Sequence, residues 1–574
     1  MKYIRESKSI CKKCYRCLKN CMVKSIKFEG EDVSVIDEQC ILCGLCITSC
    51  PQYAKHARQD LIKVLEYIDS PKFRTVVSLA PSYVAAFGKN SRKIINALKI
   101  LGFDDVEETA VGAQYVTKEY IKLIDDGKMD NIITTSCSSS NLLVEKYYPE
   151  LTDMLAPVLS PVLAHGKILK EKYGPDTKVI FAGPCLSKIQ EIDENPQYVD
   201  GVVSFDSLVE WLGNREINIE RFPEEDFYNT PFSAIYPIFD GINIDIKRKM
   251  NISELSARVG KYNILSVSGI KELRRTFEEI KTGKLKNVFI EANVCRGGCI
   301  NGPLMPEYKN LSVYDRIEVI EHAGKGKIQV EGVSLDFSKR FEPEKIENNM
   351  PSEAEIKTIL KKIGKDEEFK QLNCGSCGYP TCREKAIAVY QKKADLYMCL
   401  PYMNDINQTM ASTVLSVTPN YIIAVDENLK IREFNVSAQK LFNVSRSDAI
   451  SRYLGEFIDP SDFEYVLKTK KNINDKKVRY DELEIITKQY IIYTASNKMA
   501  IGILYDITDE EKYNEMNYSL KMETVLMAQK VIDKQMTVAQ QIASLLGETT
   551  AETKVTLNRI KRLMEDEGTD VNEW

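Results

Sequence analysis

What most constrains this chain is the spacing of its sixteen cysteines. Cys11, Cys14, Cys17 and Cys21 are separated by two, two and three residues, and Cys40, Cys43, Cys46 and Cys50, the last followed by Pro51, repeat the pattern. Eight unliganded thiols within the first 60 residues would be very improbable. The N-terminus, Met1-Lys-Tyr-Ile-Arg-Glu6, lacks the apolar run of a secretory signal. No run of about 18 apolar residues marks a membrane span. The expectation is a cytoplasmic protein, in which thiols stay reduced and clumped cysteines read as metal ligands. Three closely spaced thiolates bind three irons of one cubane, and the fourth cysteine of each run reaches the other cluster. This assigns Cys11, Cys14, Cys17 and Cys50 to one [4Fe–4S] cluster, and Cys40, Cys43, Cys46 and Cys21 to a second.

The segment 1–60 resembles bacterial two-cluster ferredoxins. A third set, Cys374-Gly-Ser-Cys377-Gly-Tyr-Pro-Thr-Cys382 with Cys399 further on, also suits a cluster. Its glycines let the backbone wrap closely and aim amides at the sulfurs. Four thiolates also make zinc sites. Iron–sulfur is favoured because the spacing resembles the small Fe–S domain of several anaerobic redox enzymes.

Between about 70 and 340, strand-like runs (Thr75-Val-Val-Ser-Leu79, Asn131-Ile-Ile-Thr-Thr135, Lys178-Val-Ile-Phe-Ala182, Asn287-Val-Phe-Ile-Glu291) alternate with amphipathic helical patterns. That order predicts βα units and mainly parallel sheets. Only four cysteines lie here, Cys137, Cys185, Cys295 and Cys299, each shortly after such a run, where α/β folds place ligand sites. Their settings are Thr134-Thr-Ser-Cys137, Pro184-Cys185-Leu-Ser-Lys188-Ile-Gln-Glu191 and Glu291-Ala-Asn-Val-Cys295-Arg-Gly-Gly-Cys299-Ile-Asn-Gly302. In that order they resemble the three signature segments of the [FeFe]-hydrogenase catalytic domain. Ala80-Pro81-Ser82, Leu101-Gly-Phe-Asp-Asp105, Tyr148-Pro-Glu-Leu151 and Ser160-Pro161 extend the likeness over roughly 72–340.

The resemblance implies a third [4Fe–4S] cubane on these four cysteines, making four with the Cys374–Cys399 set. Cys299 would also bridge to a di-iron subsite carrying CO, cyanide and an azadithiolate. It further implies that Lys188 anchors one cyanide, and that Pro81 and Ser82 supply the backbone and hydroxyl contacts to a second. Buried anionic ligands need charged or amide donors. Glu191 is either the residue that orients Lys188 or an ordinary helix-surface acid.

Departures from the family pattern carry functional information. Hydrogen-producing members have two adjacent cysteines in the first signature; here Ser136 takes the place of the one that passes protons. Thiols have a reference pKa near ~8.5, and a serine hydroxyl is a far weaker acid. By the same alignment a relay glutamate becomes Val116 and a relay serine Ala156, with only an outer acid kept as Glu119. Gly183 and Asn293 replace flanking methionines.

From about 410 to 508 the sequence resembles a PAS domain, on Asn420-Tyr-Ile-Ile-Ala-Val-Asp426, the Asn435–Phe442 helix, Tyr453-Leu-Gly-Glu456 and Asp506-Ile-Thr508. With no histidine or cysteine there, the segment cannot offer the usual axial haem ligand or form a flavin–thiol adduct; a non-covalent flavin stays open, and an empty domain used for dimerisation or relay is the favoured expectation. A stripe of Met516, Leu520, Met527, Val531, Val538, Ile542 and Leu545 predicts a tail helix, with Gly547 as a stop and Thr549–Glu552 as a capping box opening another. No phospho-acceptor histidine or nucleotide box of a kinase is present.

The fold class expected is therefore multidomain α/β. It comprises a ferredoxin-like module (1–60), a two-lobed H-cluster domain (70–340), a linker with a small Fe–S helical domain (341–405), an α+β PAS domain (410–508) and an output helix (509–574). The 574 residues suit several domains, and the net charge of −5 gives no argument for nucleic acid. The leading expectation is a hydrogen-sensing, low-turnover [FeFe]-hydrogenase. Its partners would be H₂ and protons, a redox protein such as ferredoxin, a separate kinase or phosphatase, and a second copy through the PAS domain or tail helix. The alternatives are a catalytic hydrogenase, and a non-enzymatic redox sensor without the di-iron subsite.

Overall fold

The computed structural model describes residues 3–30, 32–227, 230–253, 255–306, 313–324, 334–346, 349–543 and 551–566. They fall into two compact units, Met1–Met403 and Asn404–Trp574.

The first unit opens with two short antiparallel pairs, Ile4–Glu6 with Lys55–Ala57 and Ile26–Glu29 with Asp32–Val35. Cysteine-bearing turns and the helices Arg16–Asn20 and Leu45–Thr48 lie between them. Gly44, before the second helix, has φ 73°, and a Cβ there would come within 2.3 Å of Pro303 Cβ. A glycine is required where this module meets the following domain so closely.

That domain has two sheets. Strands Asp105–Glu108, Arg74–Leu79, Thr177–Gly183 and Gly201–Ser204 lie in that order, all parallel. In the other, Tyr262–Ser268, Val288–Asn293 and Ile132–Ile133 are parallel, with Arg258–Val259 antiparallel at one edge. The expected fold class is present, and the four strand-like runs all lie in these sheets. Central positions such as Val76, Val77, Ile180 and Ile290 are fully buried, as parallel strands covered on both faces require.

Beyond it, helix Glu353–Lys362 starts with a capping box between Ser352 and Glu355. Helix Cys382–Tyr390 packs on it, burying Ala386 in one cluster with Ile356, Leu360 and Ile363.

The second unit holds a five-stranded antiparallel sheet ordered Ile431–Phe434, Tyr421–Val425, Met499–Asp506, Ile485–Thr494, Ile473–Tyr480. Helices Val436–Phe442 and Ser461–Thr469 cover it, burying Phe434 and Phe463. Helix Thr508–Ala543 follows, with Met516, Leu520, Met527, Val531, Val538 and Ile542 exposed. Leu545, Gly547 and Thr549 lie outside the described residues. Among the described residues, no helix is long and apolar enough to cross a membrane.

Candidate metal centre

Each of the four sparse cysteines follows the C-terminal end of a strand, where the chain turns from sheet to helix. Cys137 caps helix Ser138–Tyr147, Cys185 lies two residues past strand Thr177–Gly183, and Cys295 and Cys299 follow strand Val288–Asn293. All four line one cavity of about 110 Å³, together with Ala80, Pro81, Ser82, Ser136 and Lys188. Residues far apart in sequence thus converge on one cavity. The Cys299 side chain is open to this cavity while lying deep in the domain, and burial pushes its thiol pKa up. A buried thiolate is costly unless a cation such as a metal compensates it.

The loop carrying the last two cysteines depends on glycine. Gly298 has φ 101°, and a Cβ there would come within 2.3 Å of Pro237 O; at Gly302 one would come within 2.6 Å of Pro184 O. Behind the loop, the buried Glu291 carboxylate accepts from the amides of Asp240, Ile242 and Asn243 (3.0–3.2 Å) and from Asn293 Nδ2 (2.9 Å). Asn293 thus braces Glu291 on its own strand, and Glu291 ties the strand end to the start of helix Gly241–Lys249.

Lys188 is only 6% exposed. Its Nζ donates to Glu191 Oε2 (2.5 Å) and to Ser136 O (3.1 Å). Ser160 Oγ donates to the same carboxylate at 2.9 Å. Glu191 is thus not a helix-surface acid. Burial would raise its pKa, but Lys188, Lys339 and Ser160 hold it below the usual carboxylate range. The Ser82 hydroxyl is buried without a hydrogen-bond partner. Lys188 on one side and an orphaned hydroxyl on the other fit a small anionic metal complex, since each has donor capacity unspent.

The hydrogen bonds that lead away from Ser136 form a short network. Ser136 Oγ is 3.2 Å from Tyr120 OH, and that phenol accepts from Thr135 N at 2.9 Å. Thr135 Oγ1 then donates to the carbonyls of Ala156 and Val158, where the network ends. Val116 and Ala156 are fully buried and apolar. Glu119 is turned to Lys122, 2.7 Å away.

The other cysteines gather in three sets. Cys11, Cys14, Cys17 and Cys50 line one pocket, and Cys21, Cys40, Cys43 and Cys46 another. Burial pushes the thiols of Cys17 and Cys40 up to about 11, so without a metal they stay protonated. In the third set Cys377 is close enough to Cys374 and Cys399 to feel their charge. Cys382 opens its helix, its amide donating to Asn373 Oδ1 beside Cys374 at 2.8 Å. The buried Lys385 stands beside Cys377 and Cys399, and burial lowers its pKa to about 8.

The spacing alone does not reveal how these sets adjoin. Cys43 reaches the wall of the four-cysteine cavity. On the opposite side, Tyr379 lies close to both Cys377 and Cys21, and Lys24 Nζ donates to Gly378 O at 2.9 Å. The Cys21/40/43/46 set therefore stands between the cavity and the Cys374–Cys399 set.

Comparison with known proteins agrees with this architecture. Residues 73–303 match the model of the iron only hydrogenase large subunit, C-terminal domain. Those residues are therefore similar to an iron-only hydrogenase domain. Residues 3–64 match a 4Fe-4S dicluster domain, 371–401 a putative Fe-S cluster and 409–495 a PAS fold. Iron hydrogenase 1 of Clostridium pasteurianum is 26% identical over 366 residues, 52% of this chain and 63% of that one. The NADP-reducing hydrogenase subunit HndD of Solidesulfovibrio fructosivorans is 23% identical over 360 residues, 51% of this chain and 61% of that one. The chain thus spans a little over 60% of the length of these relatives. A solved [FeFe]-hydrogenase from Chlamydomonas reinhardtii aligns with TM-score 0.36 and 16% identity, covering 46% of this chain and 88% of that one. The chain thus pairs a region similar to hydrogenases with segments that match iron–sulfur and PAS models.

Proposed function

We propose that this protein is a hydrogen-responsive [FeFe]-hydrogenase of low turnover whose redox state is passed on as a signal. The observation that carries this reading is the interrupted relay. The cavity keeps its four cysteines, Lys188 and Ser82, yet the hydrogen bonds from Ser136 end on backbone carbonyls behind buried Val116 and Ala156.

Four [4Fe–4S] clusters would be held by the sets described, Cys299 also holding a di-iron group with CO, cyanide and azadithiolate ligands. When bound, that group supplies reversible cleavage of H₂. The protein's own residues do the rest. Lys188, fixed by Glu191, and the Ser82 hydroxyl, with the backbone at Pro81, anchor the anionic ligands. Apolar walls around Phe181, Val162 and Ile242 exclude water from the cavity. Ser136 holds a proton at Oγ but has no acidic group onward to trade it with. One lost proton-transfer link costs about 1.4 kcal/mol for each tenfold drop in rate.

The Cys21/40/43/46 set borders both the cavity and the Cys374–Cys399 set, which supports a continuous electron route. Cys399 directly precedes helix Leu400–Val417, and the PAS strand Tyr421–Val425 follows in sequence. A redox change at that cluster thus has a short covalent path to the PAS module. The exposed stripe on helix Thr508–Ala543 suits a second copy or a separate kinase or phosphatase.

The test is turnover of the matured full chain beside a relay-intact relative. H₂ evolution orders of magnitude slower is expected. Parity would remove the main support and favour an ordinary catalytic hydrogenase. Ser136→Cys alone should recover less than tenfold, because Val116 and Ala156 still block the next links.

A further inference from the structure

A second hydrogen-bonded chain leaves the same cavity on another side. Thr109 lines the cavity, near Ser82 and Ala113, where strand Asp105–Glu108 hands over to helix Ala110–Asp126. Its Oγ1 is 2.7 Å from Ser78 Oγ, which is 2.8 Å from His165 Nδ1. These three side chains are buried, Ser78 and His165 completely.

His165 stands on helix Pro161–Tyr173, pressed so close to helix Ala110–Asp126 that a Cβ at Gly112 would lie 2.8 Å from His165 Cβ. Its Nε2 has no hydrogen-bond partner, and Glu107 Oε2 is 3.9 Å away. The Glu107 side chain is 22% exposed. Its other oxygen accepts from Tyr173 OH at 2.6 Å and Lys172 Nζ at 2.7 Å, the lysine half in solvent.

We propose that the side chains of Thr109, Ser78, His165 and Glu107 form the wire by which protons pass between the site cavity and solvent, in place of the interrupted Ser136 side. The proposal rests on the hydrogenase reading of the cavity. The difference between the two routes lies at their far ends. A hydroxyl passes a proton only by accepting on one side as it donates on the other. From Ser136 the chain runs into backbone carbonyls, which cannot release a proton. From Thr109 it runs to an imidazole, the side chain whose ordinary pKa lies nearest neutrality, and then to a carboxylate that meets water.

In the inward direction His165 Nε2 takes a proton from Glu107 while Nδ1 releases one to Ser78 Oγ. Ser78 passes its hydroxyl proton to Thr109, and Thr109 passes its own into the cavity, where the amine of the azadithiolate in the proposed di-iron group would accept it. One proton enters and one leaves the chain; hydroxyl rotation and imidazole tautomerisation reset it. The 3.9 Å gap exceeds a hydrogen bond, so each passage waits on movement of the carboxylate. Such a gate suits occasional signalling better than rapid turnover. A histidine buried only for packing leaves its unpartnered Nε2, aimed at a carboxylate, without a purpose.

The test uses the matured full chain and two readouts other than turnover. The first is the relaxation rate of metal-bound CO bands after a pH jump. His165→Phe and Ser78→Ala are expected to slow it at least tenfold, and Ser136→Ala less than twofold. Iron content and resting band positions verify that each variant has folded. The second is NMR of ring-labelled histidine, feasible because the chain has only three. Glu107→Gln should shift the His165 Nε2 resonance, and the ring proton should exchange with solvent faster than neighbouring buried amides. Wild-type relaxation in His165→Phe, or slowing confined to Ser136→Ala, would overturn the wire. So would a His165 ring that neither exchanges nor responds to Glu107→Gln. A parent protein without CO bands would instead overturn the hydrogenase reading, and the NMR readout would then decide the wire alone.

Discussion

Replacing Glu191 by glutamine probes the centre of the site. Lys188 and Glu191 are 7% and 5% exposed, with Nζ and Oε2 2.5 Å apart. The substitution preserves shape and an acceptor oxygen but removes the only carboxylate within ion-pair distance of Lys188 among the described residues. Breaking one side of a buried pair typically costs about 3–5 kcal/mol, because it strands the remaining charge. At about 1.4 kcal/mol per tenfold, local opening of helix Ser187–Asp193 should become roughly 100- to 4,000-fold more frequent. Hydrogen exchange of that helix is the appropriate assay, since a chain of several domains has no single unfolding free energy. Lys188→Met combined with Glu191→Gln should recover most of the loss, as an apolar replacement needs no counter-ion. The Glu191→Gln effect should also be smaller in matured protein, where an anionic ligand faces Lys188. An increase below tenfold in cluster-free protein would refute the claim that the pair is desolvated. An equal effect with and without the metal group would refute the anchoring role of Lys188.

Other outcomes follow from the same geometry. Gly298→Ala would put a Cβ 2.3 Å from Pro237 O at a φ of 101°; iron at the Cys295–Cys299 loop should be lost while EPR signals of the N-terminal pair persist, and full iron content would contradict this. Burial opposes ionisation of Glu107, but His165, Lys172 and Tyr173 bring its pKa from the usual 4.5 down to about 2. A lowered folded pKa stabilises above the unfolded value and loses that effect as pH falls. Up to about 3 kcal/mol should therefore vanish between pH 4.5 and 2, as judged by hydrogen exchange of helix Pro161–Tyr173 in cluster-free protein. Glu107→Gln should flatten that dependence, and unchanged acid sensitivity would contradict it.

Much of the fold was legible because cysteine spacing is a geometric code. The repeated intervals in 11–50 suit two cubanes, and four strand-like runs ending near cysteines or small polar residues suit a parallel α/β domain. Lys188 stood out by lying three residues after Cys185, yet its burial against Glu191 is a tertiary fact that a charged pair on one helix turn does not announce. His165 was silent for the same reason. A lone histidine in Leu163-Ala-His-Gly166 reads as core, and its partners Ser78 and Glu107 come from strands more than 50 residues away. The approach of Cys43 to Cys295, and of Cys21 to Cys377 across Lys24 and Tyr379, arises from packing of modules and leaves no periodic trace. On helix Thr508–Ala543 the stripe was readable as helix, while its exposure appears only in three dimensions.

The most direct measurement is infrared spectroscopy of the anaerobically matured full chain as the gas is switched from N₂ to H₂. Bands of metal-bound CO and cyanide that shift reversibly under H₂ are expected. Their absence, with a known relative maturing normally in parallel, would contradict the hydrogen-responsive site and leave a protein of iron–sulfur clusters alone.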